Sequence, residues 1–158
     1  MSIPSSIEQF VKLNGVTYTP IHHRVAFTAQ EEAAAAHVPG QEWAKTVVCF
    51  ADDKPVLVVL PAHYVVDFGA LRSMTGAKTV RLANEREFTG LYPDCETGAM
   101  APLGPLYGQP VYMDDSLLKD PEIVFHAGTH VDAMRMRLTD FVKLVRPLAG
   151  HIAVKTHH

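Results

Sequence analysis

The sequence is poor in the features that mark several protein classes. Only two of its 158 residues are cysteines, and Cys49 and Cys95 lie far apart and outside any CxxC pair, so neither a disulfide framework nor a zinc knuckle is predicted. The apolar runs, such as residues 56–60, have the length of a strand and fall far short of the roughly 20 residues of a membrane-spanning helix. The first residues contain neither a basic start nor an apolar signal core. We therefore expect a cytoplasmic protein with no membrane partner.

An excess of basic charge is also missing. Fourteen Lys and Arg stand against seventeen Asp and Glu, which gives a net charge of −3. This balance argues against a protein that coats long nucleic acid by neutralising phosphates, and we expect no DNA partner. Binding of a short nucleic-acid end needs few phosphate contacts and is compatible with this charge.

The usual signatures of nucleotide hydrolysis and serine-hydrolase chemistry do not occur. The sequence has no GxxxxGK[ST], no GxGxxG, no GxSxG and no HExxH. Its composition is that of an ordinary globular protein, with 47% hydrophobic and 20% charged residues. The length predicts one domain over residues 1–158.

The helix and strand signals alternate without a strict βαβ order. Helices are predicted around residues 7–11, 28–37, 67–74, 84–91 and 139–145, and strands at residues 17–22, 46–50, 55–60, 79–82, 111–113, 123–126 and 131–138. Residues 51–54 read as a hairpin loop between two runs that are apolar on both faces, which is typical of central strands. In the last strand Arg135 and Arg137 alternate with methionines, which predicts a solvated face. These signals predict an α+β domain with a mixed, mainly antiparallel sheet and flanking helices.

Residues 92–110 contain too many prolines and glycines for regular structure. A loop of this length in a compact domain is usually functional. Within it, Gly98 would let backbone N–H groups approach a ligand closely, and Pro102 would stiffen the far end, so residues 98–102 could hold an oxyanion. An ordinary rigid surface loop would have the same composition.

Two further features suggest chemistry. Lys45 precedes an apolar strand, where it is either solvated or placed to hold a phosphate or an ester oxygen. His126 and His130 have the i, i+4 spacing of a helical metal pair. However, Gly128 lies between them after a β-prone run, so a helix is disfavoured and we expect no metal and no cofactor.

Taken in order along the chain, these features resemble the YbaK/ProX family, the aminoacyl-tRNA editing domain that is also inserted in bacterial prolyl-tRNA synthetases. The resemblance rests on Lys45 before an apolar strand, on Gly98 and Pro102 in a GxxxP loop, and on residues 127–130 after a late strand. Residues 28–31, 60–62 and 82–85 also match, and the likeness extends over about residues 4–147. The resemblance implies a mixed α+β domain that hydrolyses the ester between a wrong amino acid and the 3′ end of a tRNA.

The resemblance also implies roles for single residues. Lys45 would position the terminal adenosine and its phosphate, the GxxxP loop would hold the aminoacyl carbonyl and the attacking water through its backbone, and His130 would line the pocket. The implied catalytic residues are Lys45, Gly98 and Pro102, and the implied substrate-binding residues are Thr46, Ala99, Met100, Ala101, Gly128 and His130. Ala101 stands where similar domains are often richer in proline, which affects the expected shape of the pocket.

Three functions stay open at this point. The first is a freestanding deacylase whose partners are the aminoacyl-tRNA 3′ end and an aminoacyl-tRNA synthetase, with a small amino acid such as Ala, Ser, Thr or Cys as substrate. The second is a module of the same fold that binds tRNA or a synthetase without hydrolysis. The third is a metal hydrolase built on His126 and His130.

Overall fold

A computed structural model describes residues 3–22 and 43–155 of the chain. The helix predicted at residues 28–37 and the matching stretch at residues 28–31 lie outside these residues. In chain order the elements are α1 (Ser5–Leu13), β1 (Thr19–His22), β2 (Ala44–Ala51), β3 (Lys54–Pro61), β4 (Tyr64–Val66), α2 (Phe68–Thr75), β5 (Val80–Leu82), α3 (Glu85–Leu91), α4 (Gly104–Tyr107), β6 (Val111–Asp114), a 3₁₀ helix (Asp115–Lys119), β7 (Glu122–Thr129), β8 (Asp132–Arg137), α5 (Leu138–Val145), β9 (Leu148–Gly150) and β10 (Ala153–Lys155).

The strands form three sheets. The largest has the order β5-β2-β3-β6-β9, with antiparallel pairing around β2 and parallel pairing of β3 with β6 and of β6 with β9. A second sheet has the order β1-β8-β7, and β10 pairs with β4 in a third, both antiparallel. The predicted α+β domain with a mixed, mainly antiparallel arrangement is confirmed.

The β2–β3 hairpin forms as the sequence predicts. Ala51 pairs with Lys54, and Asp52 and Asp53 between them have φ angles of 47° and 70°, the left-handed conformation that a two-residue turn with the right twist requires. The Asp52 carboxylate accepts hydrogen bonds from the backbone N–H groups of Lys78 and Thr79 at 3.0–3.1 Å. These bonds hold the turn against the segment that leads into β5.

Two apolar cores cover the two faces of this hairpin. On one face Ala44, Val48 and Val59 belong to the first core, which also contains side chains of β7, β8, α1 and α5. On the other face Cys49 and Val58 belong to the second core, which α2 and β10 complete. β2 and β3 are therefore covered on both sides, as expected for central strands.

Local capping signals place two helices correctly. The Asp67 side chain accepts a hydrogen bond from Ala70 N at the start of α2, and Gly76 ends this helix with φ at 74°. At the start of α3, Asn84 and Glu87 form a capping box in which each side chain accepts the other residue's backbone N–H.

Two sequence expectations need correction. The loop at residues 92–110 contains a short helix, α4, whose Gly104 packs so closely that a Cβ there would lie 2.2 Å from Gln109 O. The face of β8 for which the alternation predicts solvation is exposed only at Arg137, because Ala133 on the same face is buried against Trp43 and Val124.

Candidate functional site

Two of the predicted residues, Thr46 and Gly98, line a cavity at one edge of β2. β5 pairs with β2 only at residues 49–51, and Ala83 N adds a hydrogen bond to Val48 O at 2.9 Å. Residues 45–47 pair only with β3 in the part of the chain that the structure describes. The cavity beside this edge has a volume of about 250 Å³ and is lined by Thr46, Val47, Val48, Leu82, Ala83, Asn84, Glu85, Phe88, Thr97 and Gly98.

The strand edge presents backbone groups to this cavity. Backbone N–H and C=O groups of alternate strand residues point to the same side. Val48 O points towards β5, where it accepts the bond from Ala83, so the backbone groups of Thr46 point towards the same side. The cavity therefore combines an open strand edge with a glycine loop.

Four hydrogen bonds fix the opposite wall to the turn between β7 and β8. Glu96 N donates to Gly128 O at 2.8 Å, and Gly128 N donates to Ala99 O at 2.7 Å. His130 N donates to a Glu96 carboxylate oxygen at 3.1 Å, and His130 Nε2 donates to Thr97 O at 2.8 Å. The GxxxP loop and residues 128–130, which are 30 or so positions apart in the sequence, form one unit.

The bond to Thr97 also defines the protonation of the His130 ring. A carbonyl oxygen only accepts, so Nε2 carries a proton, and in the neutral ring Nδ1 is the nitrogen with a lone pair. The ring lies near the loop backbone, since a Cβ at Gly98 would be 3.8 Å from His130 Cε1. His130 thus lies beside Gly98, which lines the cavity.

Within the GxxxP loop only the first residue is exposed. Gly98 has φ at 82°, and no described residue accepts a hydrogen bond from its N–H. Ala99, Met100 and Ala101 have side chains that are at most 1% exposed, and Pro102 is buried as well. Any contact of these four residues with a ligand would therefore use their backbone, and Ala99 O is already bonded to Gly128.

Gly128 has a packing role in the structure. Its φ is 97°, and a Cβ at this position would lie 2.5 Å from Pro4 Cδ, because the start of α1 packs directly over it. This close approach explains the glycine without a ligand. Its proposed place in substrate binding stays a prediction.

Thr46 contributes a hydroxyl that has no hydrogen-bond partner among the described residues. Its Oγ1 is buried and forms no hydrogen bond within residues 3–22 and 43–155. Thr46 lines the cavity together with Gly98. A buried hydroxyl without a partner costs free energy, and a polar group of a bound ligand would remove that cost.

Lys45 lies on the other face of β2. Side chains alternate along a strand, and Val47 packs against the second core, so Lys45 shares the face of the second core whereas Thr46 shares that of the first. Lys45 pairs with Leu60, and burial lowers the pKa of its ammonium group. The structure therefore brings Thr46, Gly98 and His130 to one side and Lys45 to the other side of the same strand edge.

A polar cluster that the sequence reasoning missed braces the His130 turn. His22 Nδ1 is 3.0 Å from Asp132 Oδ1, and Thr129 Oγ1 donates to Asp132 Oδ2 at 2.6 Å. Burial raises the pKa of Asp132, but the hydrogen bonds from His22 and Thr129 outweigh it, and the pKa lies below its usual range. Because β1 and β8 are remote in sequence, no local pattern signals this cluster.

The histidines that suggested a metal pair lie on a strand and its turn. His126 is in β7 and His130 follows it, with ring centroids 5.9 Å apart and nearly perpendicular planes. The described residues hold a different group of potential ligands, Asp114, Asp115 and His151. There Asp114 Oδ1 accepts from the backbone N–H groups of residues 152 and 153 at 3.0 and 2.9 Å, which gives it a structural role.

Comparison with known proteins identifies the family of this chain. Residues 23–144 match the family model described as "Aminoacyl-tRNA editing domain". No curated protein sequence matches the chain significantly. Within the described residues, no helix has the length and apolar composition needed to cross a membrane.

Several solved structures share the fold. A hypothetical protein superposes with a TM-score of 0.84 at 20% identity, covering 94% of this chain and 99% of that one. A candidate trans-editing enzyme for prolyl-tRNA synthetase superposes with a TM-score of 0.80 at 21% identity, covering 99% of this chain and all of that one. A signal transduction protein candidate from Marinobacter aquaeolei VT8 superposes with a TM-score of 0.76 at 16% identity. The match covers 98% of this chain and 31% of that one.

Proposed function

Because the chain belongs to the aminoacyl-tRNA editing domain family, we propose that it is a freestanding deacylase that acts in trans on mischarged tRNA in the cytoplasm. The substrate would be the ester of a small amino acid, Ala, Ser, Thr or Cys, on tRNA(Pro) or a similar tRNA. An aminoacyl-tRNA synthetase that releases such a product is the expected protein partner.

One observation carries this proposal. Two distant segments that the family resemblance singled out lie together beside a cavity of about 250 Å³: Gly128 N donates to Ala99 O of the GxxxP loop, and His130 Nε2 donates to Thr97 O directly before that loop. Thr46 lines the same cavity from the strand edge. A cavity of this size suits a small amino acid rather than a nucleotide.

The chemistry of the substrate fits these groups. An aminoacyl ester is activated, so a site that orients water and stabilises the developing oxyanion needs neither a metal nor a covalent nucleophile. Gly98 N–H, which has no acceptor among the described residues, is the proposed donor to the oxyanion. Water attacks the carbonyl carbon, the bond to the ribose oxygen breaks, and that oxygen receives the proton that the water loses, by way of a neighbouring ribose hydroxyl or a second water.

Lys45 would act from the other face of β2. The amino acid would occupy the cavity beside Thr46, and the terminal nucleotide would continue over the strand edge, so its phosphate would meet the ammonium group of Lys45. His130 would limit the side chains that fit, because its ring lies next to Gly98.

The test is deacylation of Ala-, Ser-, Thr-, Cys- and Pro-tRNA, including mischarged tRNA(Pro), in the presence of a chelator. We expect selective release of one small amino acid that continues when metals are removed. Loss of activity with the chelator would favour the metal hydrolase, and protein that binds tRNA without shortening the lifetime of any ester would be a binding module.

Lys45→Ala gives the largest effect that we expect on turnover. Removal of the ammonium group takes away the contact to the terminal phosphate, so kcat/KM should fall about 100-fold or more. Circular dichroism should show an intact fold, since the side chain is half-buried rather than part of a core. Lys143→Ala, an exposed lysine on α5, is the matched control and should keep full activity. Wild-type turnover by the Lys45 variant would contradict the assigned role.

A further inference from the structure

Three basic side chains meet on the face of β2 that carries Lys45. They are Lys45 itself, His63 in the turn between β3 and β4, and Lys155 on β10, and we call them the cationic patch. His63 and Lys155 are not among the residues that the family resemblance singled out.

Strand pairing brings these residues together. Lys45 lies opposite Leu60 near the end of β3, and Ala62 N donates to Trp43 O at 2.8 Å, so the turn that contains His63 lies beside the start of β2. The chain then enters β4, where Tyr64 pairs with Lys155.

An aromatic contact fixes the middle of the patch. The His63 and Tyr64 rings are in edge contact with centroids 4.8 Å apart, and Tyr64 packs against the second core. The patch is therefore connected to the second core through Tyr64.

Acidic side chains are absent from the described segments that form this surface. The segments that form it, residues 43–50, 60–66 and 152–155, contain no Asp or Glu. The carboxylate that follows them, Asp67, accepts a hydrogen bond from Ala70 N at the start of α2. Burial, and then the positive charges of Lys155 and Lys45, lower the pKa of His63, in keeping with the strand pairing that brings both lysines towards its turn. An anion at this place would relieve that repulsion.

On the basis of the proposed function, we propose that the cationic patch binds the phosphodiester backbone of the single-stranded tRNA 3′ end, next to the terminal nucleotide whose ester enters the cavity. Lys45 would contact the phosphate closest to the ester, and His63 and Lys155 the phosphates further along the strand. Phosphate contacts of this kind fix the position of a nucleic acid without reading its sequence. The patch would thus serve tRNAs of different identity equally.

Lys155→Glu tests the patch by charge reversal at an exposed residue. Binding is measured by fluorescence anisotropy, with uncharged tRNA and with a short single-stranded RNA that ends in CCA. We expect the Kd for both to rise roughly tenfold, and the slope of log Kd against log salt concentration to decrease by about 0.7 for the loss of one single-strand phosphate contact. Lys155→Arg should bind like the wild type, and Lys143→Glu, the same reversal on α5, should leave Kd unchanged.

Two substrates separate this inference from the proposed function. With aminoacyl-tRNA, Lys155→Glu should raise KM far more than it lowers kcat, and with an aminoacyl ester of adenosine, which lacks a phosphodiester, the effect should shrink to about twofold or less. Equal Kd values for Lys155→Glu and Lys143→Glu would overturn the inference even if the ester is hydrolysed. Wild-type protein that releases no amino acid from any tRNA would overturn the proposed function, while the anisotropy result would still decide whether the patch binds RNA.

Discussion

The two faces of β2 hold their functional groups by different physical means. On the Thr46 face four hydrogen bonds of 2.7–3.1 Å join residues 96–99, where the GxxxP loop begins, to the β7–β8 turn. On the Lys45 face the cationic patch consists of basic side chains that strand pairing and the β3–β4 turn place near one another.

Neighbouring residues of one strand can therefore serve separate tasks. Because side chains alternate along a strand, Lys45 and Thr46 reach opposite faces while they share one edge. Transition-state stabilisation needs donors that are fixed in advance, whereas attraction of a flexible polyanion needs charge and tolerates motion. Salt should therefore weaken binding at the Lys45 face and have little effect on the loop.

Gly98→Ala should disturb the GxxxP loop, and its effect on turnover should be larger than that of any change at Thr46 or on α3. A Cβ at Gly98 has room, with its nearest neighbour at 3.8 Å, but φ at 82° is unfavourable for alanine by about 1–2 kcal/mol, so the loop should shift. We expect kcat/KM for deacylation to fall about 100-fold, as displacements near 1 Å do in oriented sites.

Gly76→Ala is the matched control for Gly98→Ala. Gly76 has φ at 74° at the end of α2 and also has space around it, so the variant should lose a similar free energy of unfolding and keep its activity. If both variants keep full activity, the backbone of the GxxxP loop does not carry the chemistry.

Local signals explain how much of the fold was predictable. The caps Asp67 and Asn84, the stop at Gly76 and the turn at residues 52–53 act through neighbours in sequence, so their elements are predicted within a few residues. The short strands β4, β9 and β10 have no such signal. They depend on pairing with segments far away in the chain, which a sequence pattern does not contain.

The site shows the same limit. The resemblance identified Lys45, Gly98 and His130 as site residues. It did not predict that Lys45 and Thr46 lie on opposite faces of β2, nor that His130 bonds to Thr97. The contact of Gly128 with Pro4 and the pairing of His22 with Asp132 join residues more than 100 positions apart. Periodicity and spacing depend on residues that are close in sequence. They therefore assign residues to helices and strands but do not predict which of these elements pack together.

Thr46→Val should have an intermediate effect on turnover. The Thr46 hydroxyl is buried without a partner among the described residues, so its removal should leave the free energy of unfolding unchanged or slightly raised, while kcat/KM falls about tenfold because the substrate loses a polar contact. Thr129→Val is the stability reference, since that hydroxyl donates to Asp132 and accepts from two backbone N–H groups, and its loss should cost about 1–3 kcal/mol. Thermal unfolding and deacylation rates of both variants give the result. A Thr46 variant that is destabilised as much as the Thr129 variant, with unchanged turnover, would assign Thr46 to structure alone.

Glu87→Gln should have the smallest effect, and it tests how the cavity wall on α3 is held. Arg81 donates to both Glu87 carboxylate oxygens at 2.8 and 2.7 Å, and Asn84 N donates to one of them, so the pKa of Glu87 is lowered from 4.5 to about 2. A carboxyl group with a lowered pKa stabilises the fold above its ordinary pKa, and this contribution is lost as the pH falls from 4.5 towards 2. The Tm of the variant should therefore lie slightly below that of the wild type at pH 7, and the difference should disappear near pH 2.

Glu85→Gln separates this ion pair from the general effect of negative charge at a helix start. Glu85 lies in the same first turn of α3 and has no ion pair with a described residue, so its replacement reports the helix-dipole contribution alone. The Glu87 variant should lose more Tm than the Glu85 variant at neutral pH, and the deficit of the Glu87 variant should be lost as the pH falls from 4.5 towards 2. Equal deficits with equal pH dependence would mean that the Arg81 contacts do not stabilise this wall, because an exposed pair can be fully screened by solvent.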